Sequence, residues 1–221
     1  MRSIAAILRK DLMLEVRGAG STIFLIVFSI LVLTVLVVAF GPSPSSAATA
    51  AGTLWVALIF SGVLGASRVI STEREDGSIY GLLLSPIDSG LIFAAKFAAA
   101  FGFIVVAESA TLLLLVLFLG LDFSSTLLPV AAILLLGVAG FAAVGTLLAA
   151  VSTRTRMGDL LLPLLVIPVS LPALIAGVRA TVAILSGAPL ESIAAWLRII
   201  IAFDLLYTVA GYLLFDYVVG Q

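Results

Sequence analysis

The chain has no cysteine and no histidine among its 221 residues. It can therefore form no disulfide and no thiolate metal site, and it offers neither an imidazole ligand nor the commonest general base. Charge is scarce too, since 10% of the residues are charged against roughly 25% in soluble domains. The net charge is −1, and no basic cluster could follow a phosphate backbone, so we expect no nucleic-acid partner.

Long apolar runs take up most of the chain. Hydrophobic residues make up 63% of it, and no charged residue occurs from Gly18 to Ser67. A helix needs about 20 mainly apolar residues to cross a bilayer. We therefore predict an all-α membrane protein in which residues 1–221 form one transmembrane domain of six spans. The predicted spans are 22–40, 51–67, 91–119, 127–151, 160–178 and 199–219.

The short segments between the spans carry most of the charge and indicate the orientation. With the N-terminus in the cytoplasm, only Arg179 and Arg198 of the 11 basic residues lie outside. The others lie on the cytoplasmic side: Arg2, Arg9, Lys10, Arg17, Arg68, Arg74, Lys96, Arg154 and Arg156. Because basic residues prefer the cytoplasmic side, we predict a multi-pass protein with both termini in the cytoplasm.

The predicted aqueous segments are too short to hold a catalytic domain. The longest are residues 1–17, 68–90 and 179–198. A P-loop needs Gly-Lys followed by Ser or Thr, and neither Lys10 nor Lys96 stands in that context. We therefore predict that the chain is not an enzyme, and that any ATP and Mg²⁺ that drive it bind to a separate ATPase.

Residues 2–17 predict a helix that lies along the membrane surface, with apolar side chains on one face and basic ones opposite. Asp11 and Glu15 interrupt the apolar face, and their spacing of four residues makes them neighbours. The segment is either an imperfectly amphipathic anchor or a helix whose two acids pair with basic groups of another cytoplasmic element or subunit.

The segment between the second and third spans contains a candidate docking helix. Thr72 and Glu75 have the spacing of a capping box, which predicts a short helix that begins there. Pro86 and Asp88 would end it before the third span. A charged start followed by an apolar stripe suits docking on a partner, although an ordinary solvated loop fits the composition too. The candidate contact residues are Glu73, Arg74, Glu75, Asp76, Ile79, Leu82 and Leu83.

Two acidic residues fall inside predicted spans. Glu108 lies about 18 Å along the helix axis from Lys96, which places it near mid-membrane, whereas Asp204 is expected shallower, near the outer face. Lys96 can extend to the interface, but Glu108 should be neutral, hydrogen-bonded or in a wet cavity. Glu108 could form a hydrogen bond between helices or line a conduction path. A proton relay is less favoured, since no second deep acid accompanies it.

Small residues and prolines distinguish the fourth and fifth spans. The fourth has a surface suited to close helix contact, made by Gly137, Ala139, Gly140, Ala143 and Gly145. The fifth contains Pro163, Pro168 and Pro172, each of which removes a backbone donor. We expect this helix to be kinked or locally unwound, for the sake of either packing or gating.

Six stretches of the sequence form a recognisable combination. They are LWVAL at 54–58, EREDG at 73–77, GLLLSP at 81–86, FAAVGTLLAA at 141–150, LLPLL at 161–165 and AFD at 202–204. Together they resemble the haem exporter protein B family, which supplies the permease subunit of the ABC-type complex used in bacterial cytochrome c maturation. The resemblance extends over essentially the whole chain.

The resemblance implies a type-2 ABC exporter fold in the bacterial inner membrane. Two copies of this subunit would pair and bind two copies of an ABC ATPase subunit. The other implied partners are a haem-handling membrane protein, a small single-span subunit and a periplasmic haem chaperone. The segment that begins at Glu73 would be the coupling helix, and residues 2–17 the elbow helix. Haem would be ligated elsewhere, and this chain would bind no cofactor.

Other functions fit the same features. The chain could be a type-2 ABC permease for another substrate, such as a lipid or polysaccharide precursor, or a membrane scaffold that holds a complex together without transport. An intramembrane enzyme fits poorly, because Glu108 and Asp204 are expected at different depths and no nucleophile accompanies them.

Overall fold

Five long α-helices dominate the computed structural model, which describes residues 47–75, 88–119, 126–152 and 158–219 and scattered positions from 23 to 39. The helices are α1 (Ala47–Glu75), α2 (Ser89–Leu119), α3 (Leu127–Ser152), α4 (Gly158–Leu185) and α5 (Leu190–Val219). All five are long and apolar enough to cross a membrane, and no strand occurs in these described ranges. The prediction of an all-α, multi-pass membrane protein is thus confirmed.

The first predicted span, 22–40, lies only partly within the described residues. Its described positions are helical, and the ring centroids of Phe28 and Phe60 of α1 lie 4.8 Å apart. The predicted elbow helix, with Asp11 and Glu15, lies outside the described residues. The first span, and with it the total of six spans, therefore stays a prediction, as does the elbow helix.

Helix α3 lies at the centre of the bundle and packs against each of the other four helices. Every residue from Gly140 to Leu147 is buried. Trp55 of α1 packs on Gly137, and Gly62 of α1 packs on Phe141 further along both helices, so α1 and α3 run parallel. The close contact predicted for the small residues of this span is present at both Gly137 and Gly140.

Helices α2 and α5 run antiparallel. The beginning of α2 meets the end of α5, where Tyr212 packs on Gly90 and the rings of Phe93 and Phe215 lie 5.7 Å apart. Asp88 caps α2, because its Oδ1 accepts a hydrogen bond of 3.1 Å from the backbone N–H of Gly90. Spans joined by short connections alternate in direction, so α1 and α3 must be parallel and α2 and α5 antiparallel, as the structure shows.

Helix α1 continues to Glu75, so the prediction that a separate helix begins at Thr72 is wrong. Residues 67–75 contain neither glycine nor proline, and a capping box begins a helix only where the chain before it is not already helical. The charged residues Glu73, Arg74 and Glu75 consequently belong to the last turn of a membrane helix.

Most of the aqueous segment predicted at 179–198 is helical, because α4 and α5 extend into it and leave only residues 186–189 between them. Gly187 ends α4 with a φ of 70°. The backbone N–H of Ala188 donates to the carbonyl of Ala183 at 2.9 Å, and that of Gly187 to the carbonyl of Ile184 at 3.0 Å. This is a Schellman motif, in which glycine provides the left-handed conformation.

Replacing Gly187 with valine should lower the free energy of unfolding by about 1–2 kcal/mol, because a side chain with a Cβ disfavours the left-handed conformation. No atom lies within 4 Å of the position that a Cβ would take, so the cost is one of backbone conformation alone. Thermal unfolding in detergent measures it. Gly187→Asn, which tolerates this conformation better, should lose less, and an equal loss in both variants would contradict the assignment.

Helix α4 runs without interruption through Pro163, Pro168 and Pro172, so the local unwinding considered above is absent. Pro168 and Pro172 lie on the exposed side of the helix. Membrane helices tolerate internal prolines because neighbouring groups satisfy the freed backbone carbonyls. The three prolines therefore remove backbone hydrogen bonds without ending the helix.

Candidate functional site

Trp55 joins three helices. Its indole Nε1 donates a hydrogen bond of 3.0 Å to Oγ1 of Thr181 in α4, and its ring lies against Gly177 of α4 and Gly137 of α3. The side chain is 1% exposed. Because neither glycine has a Cβ, the large ring fits between two helix backbones. The contact holds α1 firmly at this level of the bundle.

Glu108 of α2 forms a hydrogen bond with α1 inside the bundle. Oγ of Ser61 donates to its Oε1 at 2.8 Å, and the Glu108 side chain is 3% exposed. Oγ of Ser61 also lies 3.2 Å from the carbonyl oxygen of Leu58 in its own helix. A hydroxyl has one proton, so it serves one of these acceptors at a time. Oε2 of Glu108 has no hydrogen-bond partner among the described residues.

Asp204 lies at the middle of α5, not near the outer face as its predicted span implied. The helix begins at Leu190 and not at 199, which places Asp204 about 21 Å along the axis from the start. Its carboxyl group packs against Gly140 of α3. Both carboxyl oxygens are buried and have no hydrogen-bond partner in the described part of the chain.

The two intramembrane acids lie at a similar level of the bundle. Asp204 packs on Gly140 of α3, and Phe141, which follows Gly140 in α3, packs on Gly62 of α1. Gly62 in turn follows Ser61, whose hydroxyl is hydrogen-bonded to Glu108. Successive residues of a helix are only about 1.5 Å apart along its axis. The expectation that the two acids differ in depth is therefore wrong.

Lys96 is buried within the bundle, with 1% of its surface exposed. It lies in α2, which packs against α1, α3 and α5. A side chain buried to this extent does not reach the interface, so the predicted extension is not what the structure shows.

Two more polar groups are buried in the bundle without a hydrogen-bond partner among the described residues, namely the hydroxyls of Thr146 in α3 and Ser170 in α4. Thr111, by contrast, donates to the carbonyl of Ala107 in its own helix at 3.0 Å. Within the described ranges, no three acidic side chains come together in a way that could hold a metal ion. What the described interior does contain is two hydrogen bonds between side chains of different helices, Trp55–Thr181 and Ser61–Glu108. Such bonds can fix the position of one helix relative to another.

The contact residues predicted for a partner begin at the end of α1. Its last turn contains Glu73, Arg74 and Glu75, about 18–21 Å along the axis from Ser61. The structure describes the backbone of these three residues but not their side chains. The other predicted contact residues lie wholly outside the described residues: Asp76, Ile79, Leu82 and Leu83. The backbone of α1 is uninterrupted from the Trp55 contact to this charged end.

Ser61 and Thr181 were not singled out from the sequence. A lone serine or threonine in an apolar run does not indicate its partner, because its hydroxyl can always bond to a carbonyl of its own helix. For Trp55 the sequence does indicate that a hydrogen-bond acceptor lies nearby, since a buried indole N–H usually has one. The sequence does not indicate which helix supplies that acceptor.

Comparison with known proteins gives a consistent result. The family model of the CcmB protein matches residues 2–214, a range that contains α1 to α4 and most of α5. Heme exporter protein B of Bradyrhizobium diazoefficiens is 30% identical over 191 residues, which are 85% of this chain and 84% of that protein. The protein of that name from Pseudomonas aeruginosa is 32% identical over 83% of this chain and 82% of its own length. The one from Paracoccus denitrificans is 33% identical over 79% and 80%, respectively.

Proposed function

This chain belongs to the CcmB protein family, and on that premise we propose that it is the permease subunit of an ATP-driven haem exporter that serves cytochrome c maturation. The observation that carries the proposal is the match over residues 2–214, combined with a bundle of membrane-length helices. The relatives bear the name Heme exporter protein B, and the similarity covers most of each of them.

In this proposal, ATP is hydrolysed by a separate subunit and the charged end of α1 receives the resulting movement. The sequence contains no Gly-Lys-Ser/Thr motif. Glu73, Arg74, Glu75 and Asp76 form a dense group of charges that suits contact with a water-soluble partner. Because α1 is a single helix of 29 residues, a displacement of this end can reach the Trp55 contacts with α3 and α4. Ile79, Leu82 and Leu83 would add an apolar contact to the same partner.

The proposed assembly lies in the bacterial inner membrane, with both termini of this chain in the cytoplasm. It comprises two copies of the chain, two ATPase subunits, a haem-handling membrane protein and a small single-span subunit, and it delivers haem towards a periplasmic chaperone. Asp11 and Glu15 of the elbow helix would contact another cytoplasmic element. Haem ligation is assigned to another protein of the pathway, since this chain has neither histidine nor cysteine.

A deletion strain complemented with variants of this chain tests the proposal. The wild-type chain should restore c-type cytochromes, measured by haem staining. Lysine at Glu73, Glu75 and Asp76 together should reduce them to about a tenth or less, since reversed charges repel the original partner. Glu191→Lys is the control, because Glu191 is exposed in the first turn of α5, away from the end of α1.

Two results would redirect the assignment. Normal c-type cytochromes in the deletion strain would favour a permease for another substrate. Normal maturation with an ATPase subunit that cannot hydrolyse ATP would favour a scaffold. Unchanged cytochromes and unchanged ATPase association in the triple lysine variant would contradict the role given to the end of α1.

A further inference from the structure

The hydrogen bond between Ser61 and Glu108 has a feature that a purely structural contact does not need. The Ser61 hydroxyl lies 2.8 Å from Oε1 of Glu108 and 3.2 Å from the carbonyl oxygen of Leu58 in its own helix. When α1 and α2 separate slightly, the hydroxyl can turn from the first acceptor to the second and keep a hydrogen bond. We propose that this bond is a releasable link between α1 and α2, which opens when the ATPase displaces the end of α1.

The link lies between a fixed point of α1 and its charged end. Trp55 is about 9 Å from Ser61 along the helix axis, and its ring is enclosed by α3 and α4. On the other side, Glu73 is about 18 Å away. A sideways push at the charged end therefore turns α1 about the Trp55 contact, and the Ser61 link is placed where that rotation separates α1 from α2.

The link lies on the buried face of α1. Ser61 is 2% exposed and Val63 is 8% exposed, whereas Phe60 and Leu64, one turn apart, lie on the outward face and are 45% and 38% exposed. Glu108 contributes one hydrogen bond here, because its Oε2 has no partner among the described residues. Among the described residues the link is thus a single hydrogen bond, and the hydroxyl of Ser61 keeps an acceptor in its own helix when the link opens.

A permanent contact would be made at lower cost by apolar side chains. A carboxyl group in the membrane interior is unfavourable, and replacing both partners of a buried hydrogen bond by apolar groups of similar shape is often neutral or stabilising. A polar link is useful where α1 must alternate between two positions of similar free energy, because the hydroxyl can keep a hydrogen bond in both. Ser61 and Glu108 are accordingly positioning residues. Their role rests on the ATP-driven function proposed above.

The first test replaces Ser61 and measures the cytochrome c formed per ATP hydrolysed by the assembled complex. Ser61→Ala removes the proton that Ser61 donates to Glu108, and it should lower this ratio about fivefold, the size of one hydrogen bond. Ser61→Thr keeps the hydroxyl and should restore the ratio. Ser109→Ala is the matched control, because the exposed Ser109 donates only within its own helix, to the carbonyl of Val105 at 2.7 Å.

A merely structural role would give a different pattern. It would lower the amount of assembled complex and leave the ratio of cytochrome c to ATP unchanged. That result for Ser61→Ala would overturn the proposal, as would an equal loss in Ser61→Thr. Glu108→Gln keeps an acceptor and should lose little. An inactive Glu108→Gln together with a fully coupled Ser61→Ala would show that Glu108 acts through its charge or proton, and the link would be rejected.

The second test holds the link closed. The chain has no cysteine, so Ser61→Cys and Glu108→Cys can be joined by a short bifunctional methanethiosulfonate without competing sites in this subunit. The reduced double variant lacks the hydrogen bond and should start from a lowered ratio of cytochrome c to ATP. Cross-linking should abolish the coupling that remains, and reduction should return it to the level of the untreated double variant. The Ser61→Cys variant alone, treated in the same way, is the control. A cross-linked complex that stays as coupled as the untreated double variant would overturn the proposal, because the link would then not need to open.

The triple lysine variant at the end of α1 separates this inference from the proposed function. If that variant loses maturation and Ser61→Ala stays fully coupled, only the releasable link is wrong. If neither variant has an effect, the coupling role of α1 is wrong as well.

Discussion

The Gly177→Ala protein is expected to unfold at a clearly lower temperature than the wild type. A Cβ at this position would overlap the ring of Trp55, and that ring is held in place by the hydrogen bond to Thr181 and by Gly137 on its other side. The ring cannot move without losing these contacts. Overpacking of this kind costs about 1–3 kcal/mol, and thermal unfolding in detergent measures it.

Gly102→Ala is the control for this substitution. Gly102 lies in α2, and no atom lies within 4 Å of the position that its Cβ would take. Alanine favours a helix over glycine by about 0.5–1 kcal/mol, so this variant should lose no stability. Equal unfolding temperatures for Gly177→Ala and Gly102→Ala would show that the Trp55 contact is absent.

The double variant Trp55→Leu/Gly177→Ala identifies the cause. Leucine is smaller than tryptophan and lacks the indole N–H, so Trp55→Leu alone should be destabilised by a cavity and by the lost hydrogen bond. In that background the added methyl group has room, and Gly177→Ala should cost less than in the wild type. Additive losses would contradict direct contact, because residues in contact are expected to be non-additive.

Alkaline phosphatase fused after Gly187 should be active, whereas the same enzyme fused after Asp76 should be inactive. The enzyme needs disulfides and therefore an oxidising compartment outside the cytoplasm. Nine of the 11 basic residues lie at the side predicted to be cytoplasmic, and α2, α3 and α4 separate the two fusion points as three spans. The expected difference is all or none.

A reporter that works only in the cytoplasm provides the control and should give the opposite pattern at both positions. Active phosphatase after Asp76 would place the charged end of α1 outside the cell. That result would exclude contact with a cytoplasmic ATPase and with it the proposed coupling through this end.

The helical class, the approximate spans and the family could all be predicted without the structure. The class and the spans follow from the lengths of apolar runs and from turn-forming residues, which act locally, and the family follows from short stretches of characteristic sequence. The predicted spans 91–119 and 127–151 agree closely with α2 (Ser89–Leu119) and α3 (Leu127–Ser152). Boundaries were missed where the flanking sequence can also form a helix, as at Thr72 and before Ile199. Hydropathy marks where the membrane ends and does not mark where a helix ends.

The contacts between helices could be known only from the folded structure. Glu108 and Trp55 could be recognised as buried polar side chains that need partners, but Ser61 and Thr181 could not be named as those partners. The same limit applies to Asp204 and Gly140. Which face of one helix meets which face of another depends on the packing of all the helices together, and in a chain this uniformly apolar the sequence pattern differs too little from face to face to specify it.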